Sequence, residues 1–247
     1  MTVPGALVPE REIALFLDVD GTLLEIAATP HAVRVPPALR DTLQRAAAHE
    51  GGALALISGR TISELDRLFA PCVFPAAGQH GSERRDARGR FTRPHIDTES
   101  LRPARETLSH LEALHTGLLL EDKGTALAMH YRSAPQLESI VHAQMAKLAQ
   151  PLEEQFVLRK GKRVLELAPA GYSKRSAIEA FMTEAPFTGR IPVFVGDDLT
   201  DEDGFAAVNA LGGHSIRVGD EEVTVARSRL GSVSAVVAWL RERNLTA

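Results

Sequence analysis

Cysteine is almost absent: Cys72 is the single one among 247 residues. A lone thiol closes no internal disulfide and builds no cysteine metal cluster, and its neighbours Val73 and Phe74 mark it as a buried structural thiol. The excess of charge of one sign is also small. A formal net charge of −4 excludes a sequence-independent grip on nucleic acid or on an anionic membrane surface. No apolar run approaches membrane-spanning length. Met1 to Glu10 has neither a basic region nor a long apolar stretch, so no signal peptide is expected, and a reducing, cytoplasmic location is the default. Repeats, low-complexity tracts and a second catalytic module are not visible either. What remains, 44% hydrophobic and 24% charged residues, is the composition of a soluble globular protein, with length for one large domain or two small ones.

The run Ile13-Ala14-Leu15-Phe16-Leu17 reads as a buried strand. Asp18 and Asp20 follow it directly, and Gly21-Thr22 then break the extended pattern. Open α/β sheets hold their ligands at this carboxyl end of a strand, and two acids there repel each other unless a cation lies between them. A helix-loop-helix calcium site is excluded by spacing. Counted from Asp18, positions six and twelve are Leu23 and Thr29, where that loop needs glycine and glutamate.

Around this stretch the pattern alternates. Glu25 to Pro37 is a polar loop. Pro37 to His49 has helical periodicity and is ended by Gly51-Gly52. Ala53 to Ile57 reads as a second buried strand stopped by Ser58-Gly59-Arg60, Thr61 to Phe69 as a helix, and Cys72-Val73-Phe74 as a third strand. This order predicts a parallel sheet with right-handed crossovers. From Glu83 the character changes. A charged turn at Gly89 precedes a helix over Thr98 to His115, then strands Gly117 to Leu120 and Thr125 to Tyr131 around Asp122-Lys123-Gly124. A helix over Pro135 to Gln150 and strands Phe156 to Arg159 and Arg163 to Leu167 follow. The first pattern then returns. Ser173 to Met182 is a helix, Ile191 to Val195 a buried strand ending in Gly196-Asp197-Asp198, and Thr200 to Asn209 a helix with Thr200 and Asp203 at capping-box spacing. Ser215 to Val218 is the last strand and Val233 to Arg243 the last helix. The expected architecture is α/β: a doubly wound, Rossmann-like parallel-sheet core over 1–97 and 171–247, with a smaller α+β cap inserted over 98–170.

Asp18/Asp20, Ser58, Lys174 and Asp197/Asp198/Asp201 all fall at strand ends or helix starts of that one sheet. Singly, each has a plainer use: an acidic turn, a helix cap at Ser58, a surface lysine, acids favouring a helix N-terminus. Jointly they meet the needs of phosphoryl transfer. Asp18 can attack phosphorus and form an acyl-phosphate. Asp20 can protonate the leaving alcohol and then deprotonate water. Mg2+, a hard cation suited to a few carboxylates and water, would bridge Asp18, Asp197 and the phosphate. The Ser58 hydroxyl and the Lys174 ammonium, in the first turn of its helix, would bind the remaining oxygens.

Asp18-Val19-Asp20-Gly21-Thr22-Leu23, Ser58-Gly59-Arg60, Lys174 and Gly196-Asp197-Asp198-x-x-Asp201 resemble the four motifs of the haloacid dehalogenase superfamily. The resemblance covers the whole chain, and the insertion resembles that superfamily's α/β cap, which covers the site and selects substrate. It can be narrowed. Gly78-Gln79-His80-Gly81-Ser82-Glu83, Glu121-Asp122-Lys123-Gly124, His130-Tyr131-Arg132, Gly161-Lys162-Arg163-Val164-Leu165-Glu166, Asp197 to Glu202 and Val218 to Ala226 are similar to trehalose-6-phosphate phosphatases. The resemblance implies Mg2+-dependent hydrolysis of trehalose 6-phosphate as the last step of trehalose synthesis, with functional pairing to a trehalose-phosphate synthase. The metal set it implies is Asp18, Asp20, Asp197, Asp198 and Asp201, with Asp198 acting through water or orienting Lys174. Arg60, His80, Glu121, Lys123, Arg132, Lys162 and Glu166 would bind substrate, since carboxylates accept from and cations donate to sugar hydroxyls and phosphate; His80 has a structural turn role as its alternative. One departure stands out: Arg175 replaces the glycine that usually follows the motif lysine, so it must point away. Two rivals remain, a phosphatase of another sugar phosphate (sucrose phosphate or mannosyl-phosphoglycerate type) and a non-catalytic sugar-phosphate sensor.

Overall fold

The computed structural model describes residues 12–27, 33–93, 96–220 and 223–244. Met1 to Glu10, part of the Glu25 to Pro37 loop and Glu221-Glu222 of the closing motif lie outside the described residues. The chain runs β1 (Ile13–Leu17), α1 (Pro37–His49), β2 (Leu54–Ile57), α2 (Ile62–Phe69), β3 (Ala76–Gly78), β4 (Glu83–Arg85) and β5 (Phe91–Thr92). It continues through α3 (Arg102–Leu114), β6 (Leu119–Asp122), β7 (Leu127–His130), α4 (Glu138–Ala149), β8 (Phe156–Gly161) and β9 (Val164–Pro169). It ends with α5 (Lys174–Met182), β10 (Ile191–Gly196), α6 (Glu202–Ala210), β11 (His214–Val218), β12 (Ser228–Leu230) and α7 (Val233–Arg243). Two compact units result, Met1–Arg93 with Ser173–Ala247, and Pro94–Tyr172. Among the described residues no helix is long and apolar enough to cross a membrane.

The first unit is built on one sheet of order β12-β11-β10-β1-β2-β3-β4-β5. Pairing is parallel from β12 to β3 and antiparallel at β4 and β5. All five β1 side chains are buried because both faces of the sheet are covered. Alternation sends Ile13, Leu15 and Leu17 into one core with Leu39 and Leu43 of α1, Leu65 of α2 and Trp239 of α7. Ala14 and Phe16 enter the other, with Phe181 of α5 and Phe205 of α6. Strands are added from β1 in one direction through β2 and β3 and in the other through β10 and β11. The carboxyl ends of β1 and β10, neighbours in register at Leu17 and Val195, therefore flank the switch point where such sheets open a ligand crevice.

The second unit is an antiparallel sheet of order β6-β7-β9-β8. Leu127, Met129, Leu165 and Leu167 form its core with Leu108 of α3 and Val141 and Met145 of α4. The alternate residues Ala128 and Glu166 lie on the other face, in one row with Glu121 and Arg159.

Three local expectations are corrected. Cys72-Val73-Phe74 is no strand: Pro71 and Pro75 flank it with no N–H to give a ladder, and Val73 is 67% exposed while Cys72 is buried. The ladder to β2 begins instead with the Pro75 carbonyl, which accepts from Leu56 N–H, and runs through β3. Ser215 to Val218 is followed by a further parallel edge strand, β12, whose Ser-Arg-Leu carries no periodic signal. The capping box before α6 is Asp198 with Asp201, not Thr200 with Asp203, because a 3-10 turn over Leu199–Asp201 opens the element.

Candidate active site

Asp18 leaves β1 with its N–H donated to the Val195 carbonyl of β10 at 2.9 Å. The chain then turns sharply, with Leu23 and Leu24 N–H both returning to the Val19 carbonyl. Gly21 takes φ +88°, and a Cβ there would collide with the Asp197 carboxylate. The turn thus brings the loop after β1 against the loop after β10, and Thr22 Oγ1 donates to Asp197 Oδ1 at 3.4 Å.

Lys174 opens α5 behind a Ser173 cap. Its ammonium donates to Asp18 Oδ1 at 2.7 Å and to Asp201 Oδ1 at 2.5 Å. The other Asp201 oxygen accepts the Asp197 and Asp198 N–H groups at 2.9 and 2.8 Å. Asp201 is therefore the joint that fixes both Lys174 and the β10 loop. Asp18, Asp197 and Asp201 are all buried, each offering a carboxylate oxygen within 4.8 Å of the others. Burial holds the Asp18 carboxyl well above the usual carboxylate range; Lys174 opposes this, and Asp201 and Asp197 reinforce it. Burial also works against the Lys174 charge, but Asp18 and Asp201 outweigh it and raise its pKa. With all three acids ionised, one ammonium leaves an excess of two negative charges, which a divalent cation with oxygen ligands would offset.

The other acids sit differently. Both Asp20 oxygens accept from the Arg60 guanidinium, at 2.6 and 2.7 Å, and Asp20 is 34% exposed. Arg60 is thus engaged with Asp20. The Asp198 side chain accepts from Leu199 N–H at the head of its turn, so Asp201 and Asp18, rather than Asp198, orient Lys174. Ser58 is buried; its N–H donates to the Ala77 carbonyl and its Oγ accepts from Arg60 N–H. Thr61, not Ser58, caps α2. His80 lies in a turn with its ring over Gly59. Arg175 points along its helix to Glu179 at 3.5 Å, away from the cluster as its size demands.

In the second unit, Lys123 pairs with Glu166 at 3.2 Å, both nearly buried. Glu121 pairs with His130 at 2.7 Å. Burial pushes the Glu121 carboxyl up, but the His130 bond and Lys123 prevail and hold it below the usual range. Arg132 donates to the Lys162 carbonyl at 3.0 Å, tying down the β8–β9 turn that carries Lys162. Glu121, Lys123 and Glu166 are thus brought together, with Arg132 and Lys162 as a second pair.

Sequence reasoning missed Arg217. It is 1% exposed in β11 and donates to the Asp197 carbonyl at 3.0 Å and to Glu202 Oε1 at 2.6 Å. A lone arginine inside the apolar strand Ser-Ile-Arg-Val was the available signal, since such a cation is buried only with partners. His130 stood in a quoted motif without a role.

The trehalose-phosphatase family matches residues 16–234 of this chain. The chain belongs to that family. It is 47% identical to the trehalose-6-phosphate phosphatase of Escherichia coli K12 over 97% of this chain and 90% of that protein. It is 43% identical to a probable trehalose-phosphate phosphatase of Sinorhizobium fredii over 91% of this chain and 84% of that one. The fold of this trehalose-phosphatase family member also matches the C-terminal domain of Candida albicans trehalose-6-phosphate phosphatase, with TM-score 0.83 at 22% identity, covering 95% and 93% of the two chains.

Proposed function

We propose that this protein is a Mg2+-dependent phosphatase that hydrolyses trehalose 6-phosphate to trehalose and phosphate. The observation that carries the reading is the buried Asp18–Lys174–Asp201 array with Asp197 beside it, at the switch point of a trehalose-phosphatase family chain. Asp18, Asp197 and Asp201 would hold the cation, which when bound supplies charge neutralisation to the phosphoryl oxygens.

The chain's own residues do the rest. Asp18 attacks phosphorus, and the P–O bond to the sugar breaks as the acyl-phosphate forms. Asp20 gives a proton to the leaving oxygen and later takes one from the water that hydrolyses the acyl-phosphate. Because Arg60 occupies both Asp20 oxygens, Asp20 must exchange that pairing for the leaving oxygen before it acts. Lys174 and Ser58 hold phosphoryl oxygens. Sugar recognition is assigned to Glu121, Lys123 and Glu166, with Arg132 and Lys162 supporting them: ionised carboxylates accept from hydroxyls, and cations donate to them. The protein would work in the cytoplasm, on a phosphate ester supplied by a trehalose-phosphate synthase.

The test is phosphate release from trehalose 6-phosphate, sucrose 6-phosphate, glucose 6-phosphate and an aryl phosphate, each with and without Mg2+. Strong Mg2+-dependent preference for trehalose 6-phosphate is expected. Equal rates over the panel would remove the sugar assignment and keep the Asp18 chemistry. No release by protein that binds the ester would make it a sensor.

A further inference from the structure

Between β3 and β4 the chain makes a turn in which two adjacent residues with side chains, Gln79 (φ +46°) and His80 (φ +55°), take left-handed backbone. Such strain persists only where the surroundings over-determine it, and it clusters at functional sites. Three sets of contacts impose it here. The Gln79 and His80 N–H groups donate to the carbonyls of Arg60 and Ser58 at 2.8 and 2.9 Å. The buried Gln79 amide donates to Glu83 Oε1 at 2.9 Å, and Glu83 Oε2 accepts the Ile62 N–H at 2.9 Å. Gly81, on the far side of the turn, lies so close to the Ser173 carbonyl that a Cβ there would strike it. One turn is therefore fastened to the loop of Ser58 and abuts the residue that caps the helix of Lys174.

We propose that Gln79 is a positioning residue for phosphate, acting through Glu83 to hold the turn that sets the Ser58 hydroxyl and the Lys174 ammonium relative to each other. The proposal rests on reading those two groups as the phosphoryl-binding pair. The left-handed pair lies between the end of β3 at Gly78 and the start of β4 at Glu83. The side-chain bridge from Gln79 to Glu83 and on to Ile62 spans this turn and ties it to the start of α2. Losing the bridge lets the backbone relax, and the carbonyl contacts that register Ser58 go with it.

The bridge can be reversed, which gives the test. Gln79→Glu sets a second carboxylate against Glu83. In Q79E/E83Q the amide at position 83 donates to the carboxylate at position 79, while its carbonyl oxygen still accepts from Ile62. Binding of inorganic phosphate to the Mg2+-loaded protein is measured by calorimetry, alongside the melting temperature. Q79E should weaken phosphate binding by about tenfold, and Q79E/E83Q should recover most of it, as expected for residues coupled through one hydrogen-bond network. Gln79→Ala, which removes the amide without adding charge, is read the same way should Q79E not fold. Phosphate binding unchanged in Q79A or Q79E while melting falls would reduce the turn to scaffolding and overturn the proposal. So would a reversed pair no better than Q79E. Wild-type protein that binds no phosphate would refute the phosphate-site reading itself, which is a different outcome from either.

Discussion

Replacing Lys174 by methionine keeps the length of the stem and removes the ammonium, with both its charge and its donors. In the wild type the ammonium serves Asp18 and Asp201 at 2.7 and 2.5 Å, with all three side chains at most 7% exposed. Removing one partner of a buried pair costs about 3–5 kcal/mol, because the other charge stays buried without compensation. In a chain of 247 residues, each kcal/mol moves the melting temperature by about 2–4 °C, so Lys174→Met should melt roughly 6–20 °C lower in EDTA near neutral pH. A divalent cation should return part of this. At a hundredfold excess over its dissociation constant a ligand stabilises by about 2.7 kcal/mol. The variant, with three uncompensated carboxylates in place of two, should gain more from Mg2+ than the wild type gains. The assay is thermal unfolding in EDTA and across a Mg2+ series. A variant that melts within about 2 °C of wild type in EDTA would show that the carboxylates and the lysine are not one electrostatic unit, and the argument for a cation would fall with it.

Two further outcomes follow from the same geometry. Asp18→Asn should abolish phosphate release yet stabilise the metal-free protein, since one buried negative charge is lost while the amide oxygen still accepts from Lys174. The folded pKa of Asp18 is raised, so its contribution to stability is full below the unfolded value of about 3.9 and is lost as pH rises through the folded value. The advantage of Asp18→Asn in EDTA should therefore widen from about pH 4 upward, and a constant difference in unfolding free energy from acid to neutral pH would contradict it. His130→Ala releases Glu121 Oε2 and should raise KM for trehalose 6-phosphate roughly tenfold, as loss of a charged hydrogen bond does, with a smaller effect on kcat. Unchanged KM in steady-state kinetics would take Glu121 out of sugar recognition.

The elements most legible in the sequence were those whose signals are local. Ile13–Leu17 is an unbroken apolar run and Pro37–His49 has apolar periodicity ended by Gly51-Gly52, so their limits came out as read, as did those of the last helix, Val233–Arg243. Cys72-Val73-Phe74 was apolar too, but the prolines on either side withhold the donors a strand needs, and the ladder moved to Ala76. The acids of the site were legible because chemistry demands their type and spacing. Their partners were not, because each pairing is made by the fold over a long separation. Asp18 meets Lys174 across 156 positions and Arg60 meets Asp20 across 40. Arg217 reaches Asp197 across 20, from the interior of a strand where periodicity predicts only apolar packing. Asp198 and Asp201 show the limit most clearly. Both lie in one acidic run, yet only the backbone turn decides that Asp201 faces inward and Asp198 caps.

The pairing of β1 with β10 has a consequence for synthesis. Ile13 is in register with Ile191, 178 positions later (191 minus 13). At about 5–20 residues per second, roughly 10–35 s pass between the emergence of the central strand and that of its neighbour. During that interval β1 can pair with β2 on one side, but its other edge offers unsatisfied backbone groups in a wholly apolar strand, the kind of edge that recruits other chains. The inserted second unit, Pro94–Tyr172, is one continuous stretch of chain and can form while the sheet waits. The nascent chain therefore passes through a state with one finished unit and one half-built sheet, and a ribosome-bound chain stopped before Ile191 is the species in which a chaperone would have most to do.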